Sequence, residues 1–322
     1  MMNMKKRVRH FPIREMIELK KRTRPSPIRV TKGEKVFYLV NNIVLVLFSI
    51  ICLYPVLCII SGAISDPTQV GLGLVTFYPK GFSMEGFRYV LKDQWLVNGF
   101  MMSVFYTLAG TAINIVITFV TAFALSRREL MGRTFLNLFF AFTMWFSGGI
   151  IPAYLLIRNL KLINTVWALL LPGAMSVWNM IVCRTFLANT IPEELYEAAA
   201  IDGAGYVRYM LVIVLPLSKA ILATLILWYA IAHWNAYFGA LIYINKKPLK
   251  PFSLYLREYL VQQNTMDIAE LTAGEEVRMD LMGITELMKN ALTLLSCLPL
   301  WILYPFVQKY LVQGVMIGSV KG

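Results

Sequence analysis

Few residues in this chain are equipped for chemistry, and their spacing decides which could act together. The cysteines, Cys52, Cys58, Cys183 and Cys297, all stand in apolar runs, none with CxxC spacing, and the chain has only two histidines. That pattern points to small packing side chains rather than a zinc site. No GxxxxGK followed by Ser or Thr occurs, and Gly71, Gly73 and Gly81 do not make a phosphate cradle. A nucleotide site of that type is excluded, so nucleotide energy would have to come from another subunit.

Acidic residues gather in two places. Residues 246–286 hold seven acids against five Lys and Arg, among them Glu270, Glu275, Glu276 and Asp280. Paired carboxylates can do acid–base work, but a loop offers no rigid geometry for it. The second place is EELYEAAAIDGAGYVRYMLVIVLP, residues 193–216, with Glu193, Glu194, Glu197 and Asp202 around three alanines. Thr190 and Glu193 fit a capping box, with Pro192 in the first turn where its missing N–H costs nothing. Gly203 is placed to stop the helix. The reading is a short helix exposing Leu195, Ala198, Ala199 and Asp202 on one side. Its acids suit the helix dipole and a basic partner, and its alanines allow close approach. This is docking chemistry, although a merely well-capped loop would carry the same residues.

Aromatic faces and hydrogen-bonding side chains form a third set: Trp145, Trp178, Asn179, Trp228, His233, Trp234, Asn235, Tyr237 and Phe238. These types hold sugars, and they also pack helices or anchor them at a membrane interface. HWNAYF, residues 233–238, stands out because His and Asn at membrane depth should face protein or water.

The elements that position these residues are built for lipid. Of 322 residues, 58% are hydrophobic and 15% charged, against roughly a quarter charged in soluble domains. Residues 36–65, 101–126, 135–157 and 162–183 carry no charge, 220–245 hold only His233, and Ala291 to Val307 form a sixth run. A spanning helix needs about 20 apolar residues. The expected fold is therefore an all-α polytopic membrane protein. Its six transmembrane helices fall near 36–62, 98–125, 134–157, 165–184, 217–244 and 287–307. The first run is too long for a signal-peptide core and follows 35 residues rather than a short basic tip, so it is read as a retained span.

The net charge of +13 orients the chain rather than implying nucleic acid. With both termini cytoplasmic, 20 of the 31 Lys and Arg fall inside, 12 of them in residues 1–35. That tail suits anionic headgroups. Its segment FPIREMIELKKR, residues 11–22, reads either as a membrane-surface helix with Ile13, Met16 and Ile17 on one side or as a partly ordered tail. The stretch MWFSGGIIP, residues 144–152, predicts a helix break at Gly148 and Gly149. Residues 185–216 become a cytoplasmic loop between spans four and five, and 246–286 an external loop.

Glu197-Ala198-Ala199, Gly203, Ile213, Leu215 and Pro216 match the spacing EAA-x3-G-x9-I-x-LP at every fixed position. This resembles the cytoplasmic signature of permease subunits of binding-protein-dependent ABC importers. FSGGIIP (146–152), INTVWALLLPG (163–173), HWN (233–235) and YLVQGVMIGSVKG (310–322) are similar to the carbohydrate-uptake, maltose-transporter-type permeases, in the branch serving complex oligosaccharides. The resemblance runs from Gly33 onward and leaves the longer N-terminal tail unexplained.

What the resemblance implies is a transport subunit of the bacterial plasma membrane with no catalytic, cofactor or metal site of its own. Residues 36–322 would be the transmembrane domain and 185–216 the coupling loop. A second homologous permease, two ATPase subunits carrying ATP and Mg, and an extracytoplasmic sugar-binding protein would be its partners. Glu193, Glu194, Glu197, Ala198, Ala199, Asp202 and Gly203 would form the ATPase-coupling site, with Glu197 pairing to a basic residue and both alanines packed in the ATPase cleft. Trp145, Asn179, Trp228, His233, Trp234, Asn235, Tyr237 and Phe238 would border the sugar path, and the external loop could contact the binding protein. Two other classes compete less well. An ion-coupled sugar carrier commonly uses carboxylates at membrane depth, and none of the predicted spans has one. A membrane enzyme acting on lipid-linked sugars would need acids or metal ligands gathered at one membrane face, and no such cluster is present.

Overall fold

The computed structural model describes residues 31–269 and 275–319; the basic segment 11–22 and Glu270 lie outside them. Helix is the repeating structure throughout the described residues. The chain divides into two units, Met1–Pro55 and Val56–Gly322, with the division inside the first helix, α1 (Lys32–Ala63). A reciprocal capping box starts α1: Thr31 N–H donates to Glu34 Oε2 at 2.6 Å and Glu34 N–H to Thr31 Oγ1 at 3.3 Å. Helix thus begins inside the stretch read as tail. In the first unit, the apolar side chains of α1 from Val36 to Ile51 are exposed, a surface that water would penalise and lipid would not.

The second unit, in which α2 (Pro67–Gly71), α3 (Glu85–Lys92), α10 (Tyr206–Tyr209) and α11 (Leu215–Leu217) are short connecting helices, is organised around α4 (Gln94–Ser126). Asp93 caps it, accepting from Trp95 N–H at 2.8 Å and from Leu96 N–H. Its buried stripe is small and polar: Gly99, Ser103, Tyr106, Gly110, Asn114, Thr118 and Ala122 recur every three or four residues. Leu108, Val116 and Val120 face outward. Polar inside and apolar outside is the pattern of a helix solvated by lipid and packed through small or hydrogen-bonding residues.

Among the described residues, three helices are long and apolar enough to cross a membrane: α1, α4 and the Gly283–Pro305 part of the final helix, which runs from Glu275 to Ser319. They coincide with expected spans one, two and six. The third is broken where the glycines predict. Helices α5 (Arg133–Trp145) and α6 (Ile150–Asn159) meet at 111°, and Gly149 has φ 86°, which favours glycine. The fourth does not form one helix. Instead α7 (Trp167–Leu170) and α8 (Val177–Thr190) are separated by a stretch containing Pro172 and Gly173, where proline's missing N–H and glycine's freedom end a helix. The fifth is α12 (Lys219–Asn235), bent 83° from the Tyr206–Leu217 segment before it and followed by α13 (Phe238–Tyr243).

Residues 246–286 are not the irregular loop expected. They contain a 3₁₀ turn (Lys247–Leu249), α14 (Phe252–Ala269) and the first turns of the final helix, α15 (Glu275–Ser319). Phe252 and Leu254 are buried, as is Leu287 on α15. Their burial fixes this segment despite its mixed charge. No group of three or more potential metal ligands occurs among the described residues.

Candidate coupling helix and substrate path

The short helix α9 (Glu194–Ile201) follows α8 after a three-residue turn. The expected capping box does not form. Thr190 is the last residue of α8, and extended Ile191 (φ −105°) separates it from α9. Glu193 holds the N-cap position through its backbone carbonyl, which accepts from Tyr196 N–H at 2.9 Å and Glu197 N–H at 3.2 Å. The stop is as predicted. Gly203 has φ 77°, its N–H donates to Ala200 O at 3.0 Å, and Ala204 N–H donates to Ala199 O at 2.9 Å. This is a Schellman closure, and it satisfies carbonyls that would otherwise be orphaned.

The helix is rotated from its expected orientation. Ala199 is only 5% exposed and packs in the core with Phe123, Leu187 and Tyr209. Ala198 is exposed together with Glu194, Glu197 and Asp202. The expectation that Ala198 and Ala199 share one outward face therefore fails, because successive helical residues turn by about 100° and Ala199 is claimed by the core. Leu195 is 38% exposed and Ile201, which sequence reasoning passed over, is 87% exposed. The outer face carries one bare apolar knob among acids.

What fixes this orientation is a second feature missed in the sequence. Arg127, just after α4, places its guanidinium carbon 5.3 Å from the ring centre of Phe123, 5.4 Å from that of Tyr209 and 5.6 Å from that of Tyr196. Guanidinium over aromatic faces is favourable and orients both sides. Arg128 pairs with Glu193 at 3.7 Å, and Tyr206 Oη donates to Glu129 Oε2 at 2.8 Å. The turn after α4 thus holds Tyr196 of α9 through Arg127, its N-cap through Arg128 and the segment after it through Glu129. Its visible sign was the basic pair opening SRRELMGR. Glu193 is satisfied within the chain, whereas Glu194, Glu197 and Asp202 have no ion-pair partner among the described residues.

The proposed path residues are sorted differently. His233 is half-buried and its Nε2 lies 2.7 Å from Asn114 Oδ1. Asn114 Nδ2 donates to Gly173 O, so its Oδ1 is the acceptor and His233 Nε2 carries the donated proton. Gly110 makes room for the ring: a Cβ there would fall on the imidazole. Beside this pair, Thr118 Oγ1 and Tyr229 Oη are 2.6 Å apart and Tyr229 Oη accepts from Ser176 N–H at 3.1 Å. These bonds tie α4 and α12 to the break at 171–176, so His233 is committed to the fold. Trp234, 5% exposed, donates its indole N–H to Ser296 O at 2.8 Å. Asn179 is buried on α8. Trp145 is 84% exposed at the break after α5, and Trp178, Trp228 and Phe238 are exposed to lesser degrees. Trp234, Asn235 and Tyr237 converge at a pocket of about 300 Å³.

No family model matches the sequence. The chain is 34% identical over 280 residues to the polygalacturonan/rhamnogalacturonan transport system permease protein YtcP of Bacillus subtilis, covering 86% of this chain and 96% of that protein. It is 35% identical over 293 residues to protein LplC of the same organism, covering 91% and 97%. Among solved structures it is similar to a chain of a bacterial ABC transporter involved in the import of the acidic polysaccharide alginate. The TM-score is 0.79 and the identity 30%, over 88% of this chain and 99% of that one. The same all-helical architecture and relatives matched almost end to end lead to one conclusion: this chain belongs to the permease subunits of sugar-importing ABC transporters.

Proposed function

We propose that this chain forms half of the translocation path of an ATP-driven importer in the bacterial plasma membrane, carrying an oligosaccharide delivered by an extracytoplasmic binding protein. In this reading the chain crosses the membrane six times with both termini cytoplasmic, the bent pairs and the 165–184 segment each counting as one crossing. Residues 1–35 are a basic cytoplasmic tail and 36–322 the transmembrane domain. A second, homologous permease completes the path, and two ATPase subunits bind the ATP and Mg that this chain does not. Relatives named for polygalacturonan and rhamnogalacturonan, and for alginate, favour acidic oligosaccharides as the cargo class.

The observation that carries this reading is the form of α9. It is gripped on its inner side through Tyr196 and Ala199 and ended by a glycine stop. Outward it presents Glu194, Glu197, Ala198, Ile201 and Asp202. A rigid acidic peg with one apolar tip suits a partner groove with basic walls and an apolar floor, the surface expected of the ATPase. Reconstitution of the chain with its partner permease, ATPase and binding protein, with sugars added one at a time, tests it. ATP hydrolysis should rise only when binding protein and its sugar are both present. Uptake by this chain alone, driven by an ion gradient without ATP, would contradict the proposal.

A further inference from the structure

Beyond the end of α12 a small pocket contains a cation that no carboxylate among the described residues neutralises. Trp234, Asn235, Tyr237, Ser253, Arg257 and Ser296 line it, and its volume of about 300 Å³ is at the lower end for small-molecule sites, room for a single sugar ring. Arg257, on α14, is partly buried and sets its guanidinium 5.8 Å from the ring centre of Tyr237. No carboxylate pairs with it among the described residues. The adjacent acid on the same helix, Glu258, is taken by Lys250 at 2.6 Å. A guanidinium held by an aromatic face keeps its donor edge free, and that edge matches a carboxylate in bidentate fashion.

The surroundings are also arranged for a sugar. Ser253 Oγ donates to Ala236 O at 2.9 Å, which joins the start of α14 to the end of α12. The Trp234 indole N–H is spent on Ser296 O, so Trp234 contributes apolar surface only. Asn235 donates to Ile231 O at 3.0 Å through its Nδ2, leaving its Oδ1 as an acceptor beside the cation. One acceptor, one exposed aromatic edge and one unpaired guanidinium together fit a ring bearing hydroxyls and a single negative charge. The pocket lies at the far end of α12 from α9, a separation of about 25 Å along a 17-residue helix.

We propose that Arg257, with Tyr237 and Asn235, forms a subsite for a uronic-acid residue within the transported oligosaccharide, Arg257 taking its carboxylate and Asn235 Oδ1 a ring hydroxyl. The assignment rests on the import reading above and names the charge that the path recognises. Direct binding of the galacturonic-acid trisaccharide and of its neutral methyl ester to the purified permease–ATPase complex, without binding protein, tests it. The ester carries the same sugar rings with the negative charges removed and methyl groups added. Wild-type complex should bind the free acid at least about tenfold more tightly than the ester, the effect of one charge-assisted pair. Arg257→Gln should abolish that preference by weakening the free acid far more than the ester, and Arg257→Lys should keep part of it. Equal affinities in the wild type, or equal losses for both sugars in Arg257→Gln, would overturn the subsite and leave the import reading standing. Binding of neither sugar, with ATP hydrolysis that no oligosaccharide stimulates in the reconstituted system, would overturn both.

Discussion

Tyr196 stacks on Tyr206 with ring centroids 5.0 Å apart and planes inclined by only 14°. The pair closes the loop over the glycine stop, because Tyr196 belongs to α9 and Tyr206 opens the segment that follows it. With Arg127 set against Tyr196 and Tyr209, and Tyr206 bonded to Glu129, the peg and the end of α4 behave as one body. In the proposed coupling, a push on α9 would pass to α4, whose buried stripe carries the interior hydrogen bonds.

Arg127→Ala should loosen this body without unfolding the membrane helices. Cation–aromatic contacts of this kind contribute roughly 0.5–2 kcal/mol. The expected result is a several-fold loss of ATP-driven uptake with the protein still present in the membrane at the normal level. Arg127→Lys, which lacks the planar guanidinium, should recover only part of the loss. Uptake measured in vesicles with matched protein levels checks both, and unchanged uptake in Arg127→Ala would count against the mechanical link.

The interior pair His233–Asn114 predicts a stability effect rather than a specificity effect. Asn114→Ala removes the acceptor for His233 and the donor to Gly173, at about 0.6–2 kcal/mol for interhelical bonds in a membrane protein. Gly110→Ala should cost about 1–3 kcal/mol by overpacking against the His233 ring. Combining it with His233→Ala should restore part of that loss, since the two residues are in contact. Thermal unfolding of the purified complex measures all three, and strict additivity of Gly110→Ala with His233→Ala would refute the packing argument.

Helix α14 carries a tyrosine whose proton is held more firmly than usual. Burial pushes the Tyr255 hydroxyl above its ordinary value of 10.0, and the charges of Glu258 and Asp93 push it the same way. Its Oη donates to Lys247 O at 2.9 Å. A raised value means the protonated form is favoured in the fold. The contribution is full below the ordinary tyrosine range and is lost as pH rises through the raised value. The difference in tyrosinate absorbance between wild type and Tyr255→Phe should therefore appear only above the ordinary range. A difference titrating at or below it would show that the residue is not held as described.

The sequence made the long helices plain and the oriented details obscure. Helices α1 and α4 and the apolar part of α15 follow from run length alone, and the break at Gly149 and the stop at Gly203 follow from glycine's tolerance of positive φ. The facing of α9 was hidden, because an eight-residue helix takes its rotation from whatever grips it. That grip comes from Arg127, some 70 residues earlier in the chain. Residues 246–286 read as a loop because their charges are mixed. What holds them is the burial of a few side chains such as Phe252 and Leu254, too sparse to give a strong period. In the HWNAYF stretch the histidine turns inward to Asn114, while Asn235 and Tyr237 line the pocket with Arg257, a division that residue types alone do not reveal.

The central claim is that α9 couples this chain to an ATPase through its outward acids and its glycine stop. ATP-driven oligosaccharide uptake by the reconstituted complex, compared between wild type, Glu197→Lys and Gly203→Pro, tests it most directly. Glu197→Lys reverses the charge on the exposed face. Gly203→Pro forbids the positive φ and removes the N–H given to Ala200. Both variants should remain in the membrane and lose uptake, whereas normal ATP-driven uptake in both would contradict the account.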